Sequence, residues 1–87
     1  MTILTWYNES EDSLRVALPT DDAAGNREEK YLGILFCFSR YTTLPYCADA
    51  LNFRSVWKNR LPELAARIAE HLSLPESDIL YAIEQHK

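Results

Sequence analysis

The sequence predicts a small α+β domain: a three-stranded, mainly antiparallel sheet followed by two or three C-terminal helices packed on one face. Three observations carry that prediction. Residues 2–7 are rich in β-branched and aromatic side chains, and after a polar stretch Leu14, Val16 and Leu18 alternate with other residues, the spacing of a half-buried strand. Residues 31–38 (YLGILFCF) are apolar on both alternating faces, as in a strand covered on two sides. From Pro45 onward the apolar period lengthens from two toward 3.6, so helices replace strands. With 87 residues there is room for one domain, residues 1–87.

Residues 2–7 are rich in β-branched and aromatic side chains, and the polar stretch 8–13 leads into the alternating Leu14, Val16 and Leu18, which together read as a β-hairpin. Pro19 ends its second strand. Residues 20–30 are polar and acidic, contain Gly25 and Asn26, and read as a connection with a mobile tip. In the central strand the alternation sends Leu32, Ile34, Phe36 and Phe38 one way and Tyr31, Gly33, Leu35 and Cys37 the other. Pro45 is placed as the first helical residue ahead of residues 46–51, and Asn52 as the N-cap of a helix starting at Phe53. Phe53, Trp57, Leu61, Leu64, Ile68 and Leu72 then keep one apolar stripe on one helix face. Pro62, with Glu63 beside it, interrupts the stripe and restarts a helix at its first turn. After a break at Ser73 and Leu74, Pro75 opens a last helix whose Ile79, Leu80 and Ile83 face inward.

Composition narrows the function. Thirteen acidic residues against nine basic ones give a net charge of -4, which argues against a general polyanion binder. The charge is uneven: the first thirty residues are acidic, residues 31–67 are basic, and the remainder is acidic again. Residues 1–7 carry neither a basic residue nor an apolar run long enough for an export signal. The longest apolar run, eight residues, falls short of the about 20 that span a bilayer. The expectation is a cytoplasmic protein without a membrane span. Cys37 and Cys47 lie ten positions apart, which suits neither a redox CxxC nor a clustered zinc site, so they are expected as reduced, partly buried thiols.

Ten aromatic residues are more than one core of this size hides, so some must reach the surface, where tyrosine and tryptophan anchor protein interfaces. The resulting expectation is a non-enzymatic protein-binding domain, a regulator, adaptor or inhibitor. Its partner contacts are placed on Trp6, Tyr7, Tyr41, Tyr46 and Trp57, it needs no metal or cofactor, and a homodimer is one form the partnership can take.

Two other classes are weighed against it. Arg40, Arg54 and Lys58, interleaved with aromatics, suggest an anion or nucleic-acid contact, while Arg54 and Lys58 alone also describe a solvated helix face, as does a Glu63–Arg67 pair at i,i+4. Residues 65–83 (AARIAEHLSLPESDILYAI) add a second route to nucleic acid. Ala69 falls where a small residue is wanted, Leu74 follows the turn, and Ile79 and Ile83 take core positions, so the segment resembles the helix-turn-helix of DNA-binding repressors. Ser73 departs from the usual turn glycine, and Glu76, Asp78 and Glu84 on the second helix repel phosphate, so a plain helical hairpin on the sheet is favoured. The third class is a thiol enzyme using Cys37 or Cys47 with His71 as base. No nucleophile signature surrounds either cysteine, and His71 near a helix end is placed as a cap. His71 and His86 are too far apart to form a metal pair on one helix, and the acidic pairs Asp21–Asp22 and Glu28–Glu29 read as solubilising.

Overall fold

A computed structural model describes residues 3–19, 24–31 and 33–87. Five strands form one sheet: β1 (Leu4–Asn8), β2 (Ser13–Ala17), β3 (Ala24–Tyr31), β4 (Ile34–Ser39) and β5 (Pro45–Leu51). A π-helical turn (Phe53–Trp57), α1 (Leu61–Leu72) and α2 (Glu76–Glu84) follow. The strand order is β1-β2-β5-β4-β3, with every neighbouring pair antiparallel. The α+β class and the helices packed on the sheet therefore hold, while the sheet has five strands where the sequence suggested three.

The two additional strands come from segments whose local composition points elsewhere. Residues 46–51, expected as a helix, form the middle strand β5, paired with both β2 and β4. Their alanines are good helix formers, but in β5 Ala48 and Ala50 face the helices, and α1 packs on this strand over their small side chains. The connection expected over residues 20–30 contains β3 from Ala24 onward, while residues 20–23, with Asp21 and Asp22, lie outside the described residues. Strand β3 is an edge with two register irregularities, and its exposed Arg27, Glu28 and Glu29 suit an edge position.

The hairpin of β1 and β2 stands where the sequence put it. In β4, Ile34 and Phe36 enter the main core and Phe38 packs against it, while Cys37 joins Ala17 and Cys47 on the opposite face; Leu32 and the Tyr31 side chain lie outside the description. All six residues of the C-terminal apolar stripe are buried. They do not share one helix, because the chain leaves the π-helical turn at Lys58 and starts α1 at Leu61, with Pro62 in its first turn. Asn52 does precede a helical turn, but at φ 57° with no side-chain cap. Pro75 caps α2 from just outside it, and Ile79 and Ile83 are buried beneath.

Candidate functional site

The helices cover one face of the sheet, and no described element packs on the other. That second face carries alternate residues of each strand: Leu4 and Trp6 on β1, Arg15 and Ala17 on β2, Cys47, Asp49 and Leu51 on β5, Leu35 and Cys37 on β4. A depression of about 320 Å³ sits in it, lined among others by Trp6, Arg15, Arg27, Leu35, Asp49 and Leu51. At its floor Arg15 grips Asp49 with two hydrogen bonds, Nε to Oδ1 at 2.7 Å and Nη2 to Oδ2 at 3.0 Å. Register causes this, because Arg15 and Asp49 are direct cross-strand partners. The carboxylate raises the Arg15 pKa further through that hydrogen bond, so the guanidinium stays charged. Arg27 approaches Asp49 from β3 at 4.0 Å, and the Arg15 guanidinium lies 5.6 Å from the centre of the Trp6 ring. Trp6 itself is 49% exposed.

Beside the depression lie the two cysteines, also direct cross-strand partners, and both are buried and free. One extra residue in β5, where Phe38 pairs with Pro45 and Cys37 with Cys47, turns Tyr46 onto the same cluster as a lid. The hydrogen bond between the thiols lowers the Cys37 pKa and raises that of Cys47, since one sulfur accepts what the other donates. Burial raises the Tyr46 phenol.

The expected partner contacts do not form one patch. Trp6 and Tyr46 belong to the helix-free face. Tyr7 points to the helix side, where its ring packs on Phe53 and lies 4.2 Å under the Arg54 guanidinium. Tyr41 is 73% exposed at the turn between β4 and β5, held by backbone N–H groups of Tyr41 and Thr42 donating to Ser39 Oγ. Trp57, expected at the surface, is a core residue only 3% exposed. Its indole is wedged against Gly33, whose φ of +88° and missing Cβ make the approach feasible.

The basic residues are likewise divided. Arg40 stands at the β4–β5 turn and Arg54 and Lys58 beyond the far end of β5, about 20 Å of strand away. Arg54 is engaged by Tyr7 and donates from Nε to the His86 carbonyl at 3.1 Å. Glu63 takes Arg60 at 2.6 Å. In the helical hairpin, α2 exposes Glu76, Asp78 and Glu84 and carries no basic residue in its last turn. His71 packs its ring on Phe36 and Phe38, with Nε2 3.3 Å from the Cys37 carbonyl oxygen. It thus lies on the helix side of β4, while the Cys37 thiol lies on the other, so the sheet separates the would-be base from the would-be nucleophile. Among the described residues no three His, Cys, Asp or Glu side chains group to hold a metal ion, and no helix is long and apolar enough to cross a membrane.

No family model, curated protein or solved structure matches the chain. The surface must therefore be read from its own chemistry.

Sequence reasoning missed Asp12. It sits in the hairpin turn at φ 51°, and its carboxylate accepts from Tyr7 Oη at 2.6 Å, Arg54 N at 2.9 Å, and Ser55 N and Oγ. The hydrogen bond from the Ser55 hydroxyl, then that from Tyr7, hold its pKa well below the usual carboxylate range, and in return the Tyr7 phenol is raised. Asp12 thus caps a helical turn more than forty residues away, the role assigned to Asn52. An acid in a turn of Asn, Ser and two glutamates carries no local signal of such a distant duty.

Proposed function

We propose that this chain is a protein-binding module with no chemistry of its own, and that its contact surface is the helix-free face of the sheet around Trp6. One observation supports the reading above the rest: a half-exposed tryptophan and two arginines surround a shallow depression whose floor is a satisfied ion pair. Tryptophan and arginine are the residues that dominate binding energy at protein interfaces, because they bring large area and directional polar groups together. The Arg15–Asp49 pair is already hydrogen-bonded, so covering it leaves no new unpaired charge. A nucleic-acid site finds less support, since Arg40, Arg54 and Lys58 lie apart. A thiol enzyme finds less still, with both sulfurs buried and His71 across the sheet.

The experiment compares the immobilised wild type with Arg27→Glu and Leu35→Glu, each incubated with cell extract and with a pool of single- and double-stranded oligonucleotides. Protein capture that survives about 0.5 M salt, where the Debye length is only a few ångströms, and that falls away in both variants supports the reading. Oligonucleotide retention that disappears with salt, or protein capture indifferent to Arg27 and Leu35, overturns it.

A further inference from the structure

The two edges of the sheet are unlike. At one, β3 carries Arg27, Glu28 and Glu29 and two register irregularities, the usual protections against pairing with another chain. At the other, β1 reads LTWYN with no charge, no proline and an unbroken register to β2. The hydrogen-bonding direction of β1 follows from its neighbours. The Leu18 N–H bonds to the Tyr46 carbonyl, so even-numbered residues of β2 turn their main-chain groups toward β5 and odd-numbered ones toward β1. Leu4, Trp6 and Asn8 are the β1 residues opposite Ala17, Arg15 and Ser13. Their main-chain groups are spent on β2, and those of Ile3, Thr5 and Tyr7 point away from the sheet with no partner among the described residues. Beside this edge, on the helix side, runs a groove of about 440 Å³ lined by Ile3, Thr5, Asp78, Tyr81, Ala82 and Gln85. Tyr81 is 72% exposed.

We propose that β1 is the contact of a symmetric dimer, in which a second copy of this chain adds its own β1 antiparallel about a two-fold axis at Thr5, making one ten-stranded sheet. This rests on the reading of the chain as a protein-binding module and names one partner for it. The register is set by the outward groups: Thr5 pairs with Thr5 of the second copy, and Ile3 with Tyr7. Leu4, 41% exposed, then lies across from the second copy's Trp6 on the helix-free face, an aliphatic against an aromatic at a cross-strand position. A second copy fits better than a foreign strand on two counts. The uncharged edge sets no like charges opposite one another when it meets itself, which β3 cannot offer. The two-fold also runs the two α2 helices antiparallel along the shared edge, so the Asp78 end of one meets the Gln85 end of the other, a carboxylate facing an amide donor. Tyr81 of each copy covers the groove of the other, with Ala82 leaving room for it. The strand edge with Leu4, Trp6 and Tyr81 buries on the order of 500 Å² per copy, below the roughly 800 Å² of a standard interface. Association is therefore weak and concentration-dependent.

Sedimentation or light scattering over about 5–500 µM, a range chosen for such a small interface, tests it. The wild type is expected to move from 10.1 kDa toward twice that mass. Thr5→Pro, which removes the outward N–H at an edge position, and Leu4→Lys are each expected to stay at the monomer mass with unchanged circular dichroism. Hydrogen exchange of the Thr5 and Tyr7 amides should slow as the wild type is concentrated, while those of Leu4 and Trp6 are protected at every concentration. A wild type that stays at 10.1 kDa throughout, or a dimer that persists in Leu4→Lys with the Thr5 and Tyr7 amides still fast, overturns the proposal. The two readings fail separately: Arg27 and Leu35 stand on β3 and β4, outside the outer edge of β1 that the dimer uses, so loss of capture in their variants with a monomeric wild type refutes the dimer and leaves the protein-binding surface standing.

Discussion

Replacing Asp12 should loosen the whole domain, although its side chain is only partly buried and is no part of the apolar core. The carboxylate receives four hydrogen bonds, three of them from the start of the π-helical turn and one from Tyr7. Losing a cap of this kind costs about 1 kcal/mol, and the Tyr7 phenol loses its charged acceptor with it. Solvent access keeps the figure at the modest end of its range. A loss of about 1 kcal/mol corresponds to a Tm lower by about 4–8 °C in a domain of this length. Three variants divide the effect. Asp12→Ala removes the acceptor and strains the positive φ. Asp12→Gly removes the acceptor and relieves that strain. Asp12→Asn keeps one oxygen and tolerates the backbone, and so isolates the charge. Because the folded pKa is depressed, the charge stabilises above the unfolded value of about 3.9 and its contribution is lost as pH falls below that. Urea melts at a series of pH values from neutral to acid are the assay. The wild type should lose stability toward acid more steeply than Asp12→Asn. The reasoning fails if Asp12→Ala costs less than about 0.5 kcal/mol at pH 7, the lower bound for a lost cap, or if the acid profiles of wild type and Asp12→Asn run parallel.

The turns and thiols supply three further tests. Gly33→Ala forces a Cβ to 3.3 Å from Trp57 Nε1 at φ +88°, and should cost about 1–2 kcal/mol by urea denaturation with a blue or red shift of tryptophan emission as the indole moves. Ser73 closes α1 at φ 56°, with its N–H and that of Leu74 both donating to the Ala69 carbonyl. Ser73→Gly should accordingly raise stability, by about 0.5–1 kcal/mol in the same melts. Cys37 and Cys47, both buried, should react with a thiol reagent about 100-fold or more slowly in the folded protein than in urea, the factor set by an opening free energy of about 3 kcal/mol. Fast native labelling of either would contradict the burial.

Much of the candidate surface was legible only in fragments. Trp6 could be expected from the sequence at the surface, and on β1 it is half exposed. Arg15, Arg27 and Asp49 could not, because they come from three strands and meet only through register. The same limit explains Trp57. Its spacing in the apolar stripe marked it as buried while its type marked it as an anchor, and the packing against Gly33 decided between the two. The basic zone of residues 31–67 is continuous in sequence, yet β5 carries its two ends to opposite ends of the sheet.

What the sequence determined by itself is local periodicity and its interruptions. The first hairpin, the restart at Pro62, the turn before α2 and the burial of all six stripe residues follow from side-chain type and spacing, which the chain carries wherever it goes. The apolar run of β4 likewise marks a strand, but the expected cover on two sides is not found, since the described helices pack on one face of the sheet alone. The tertiary structure decided the rest. Residues 46–51 have the alanines of a helix, but with a strand on either side and α1 above, extended pairing satisfies their backbone and their small side chains admit the helix. Charged β3 is a strand because β4 offers an edge to pair with. Asp12 is a cap because β2 and β5 bring the hairpin turn to the π-helical turn. In each case the deciding partner lies far along the chain, and local propensities of a few tenths of a kcal/mol per residue give way to hydrogen bonds and burial that exist only once the sheet has closed.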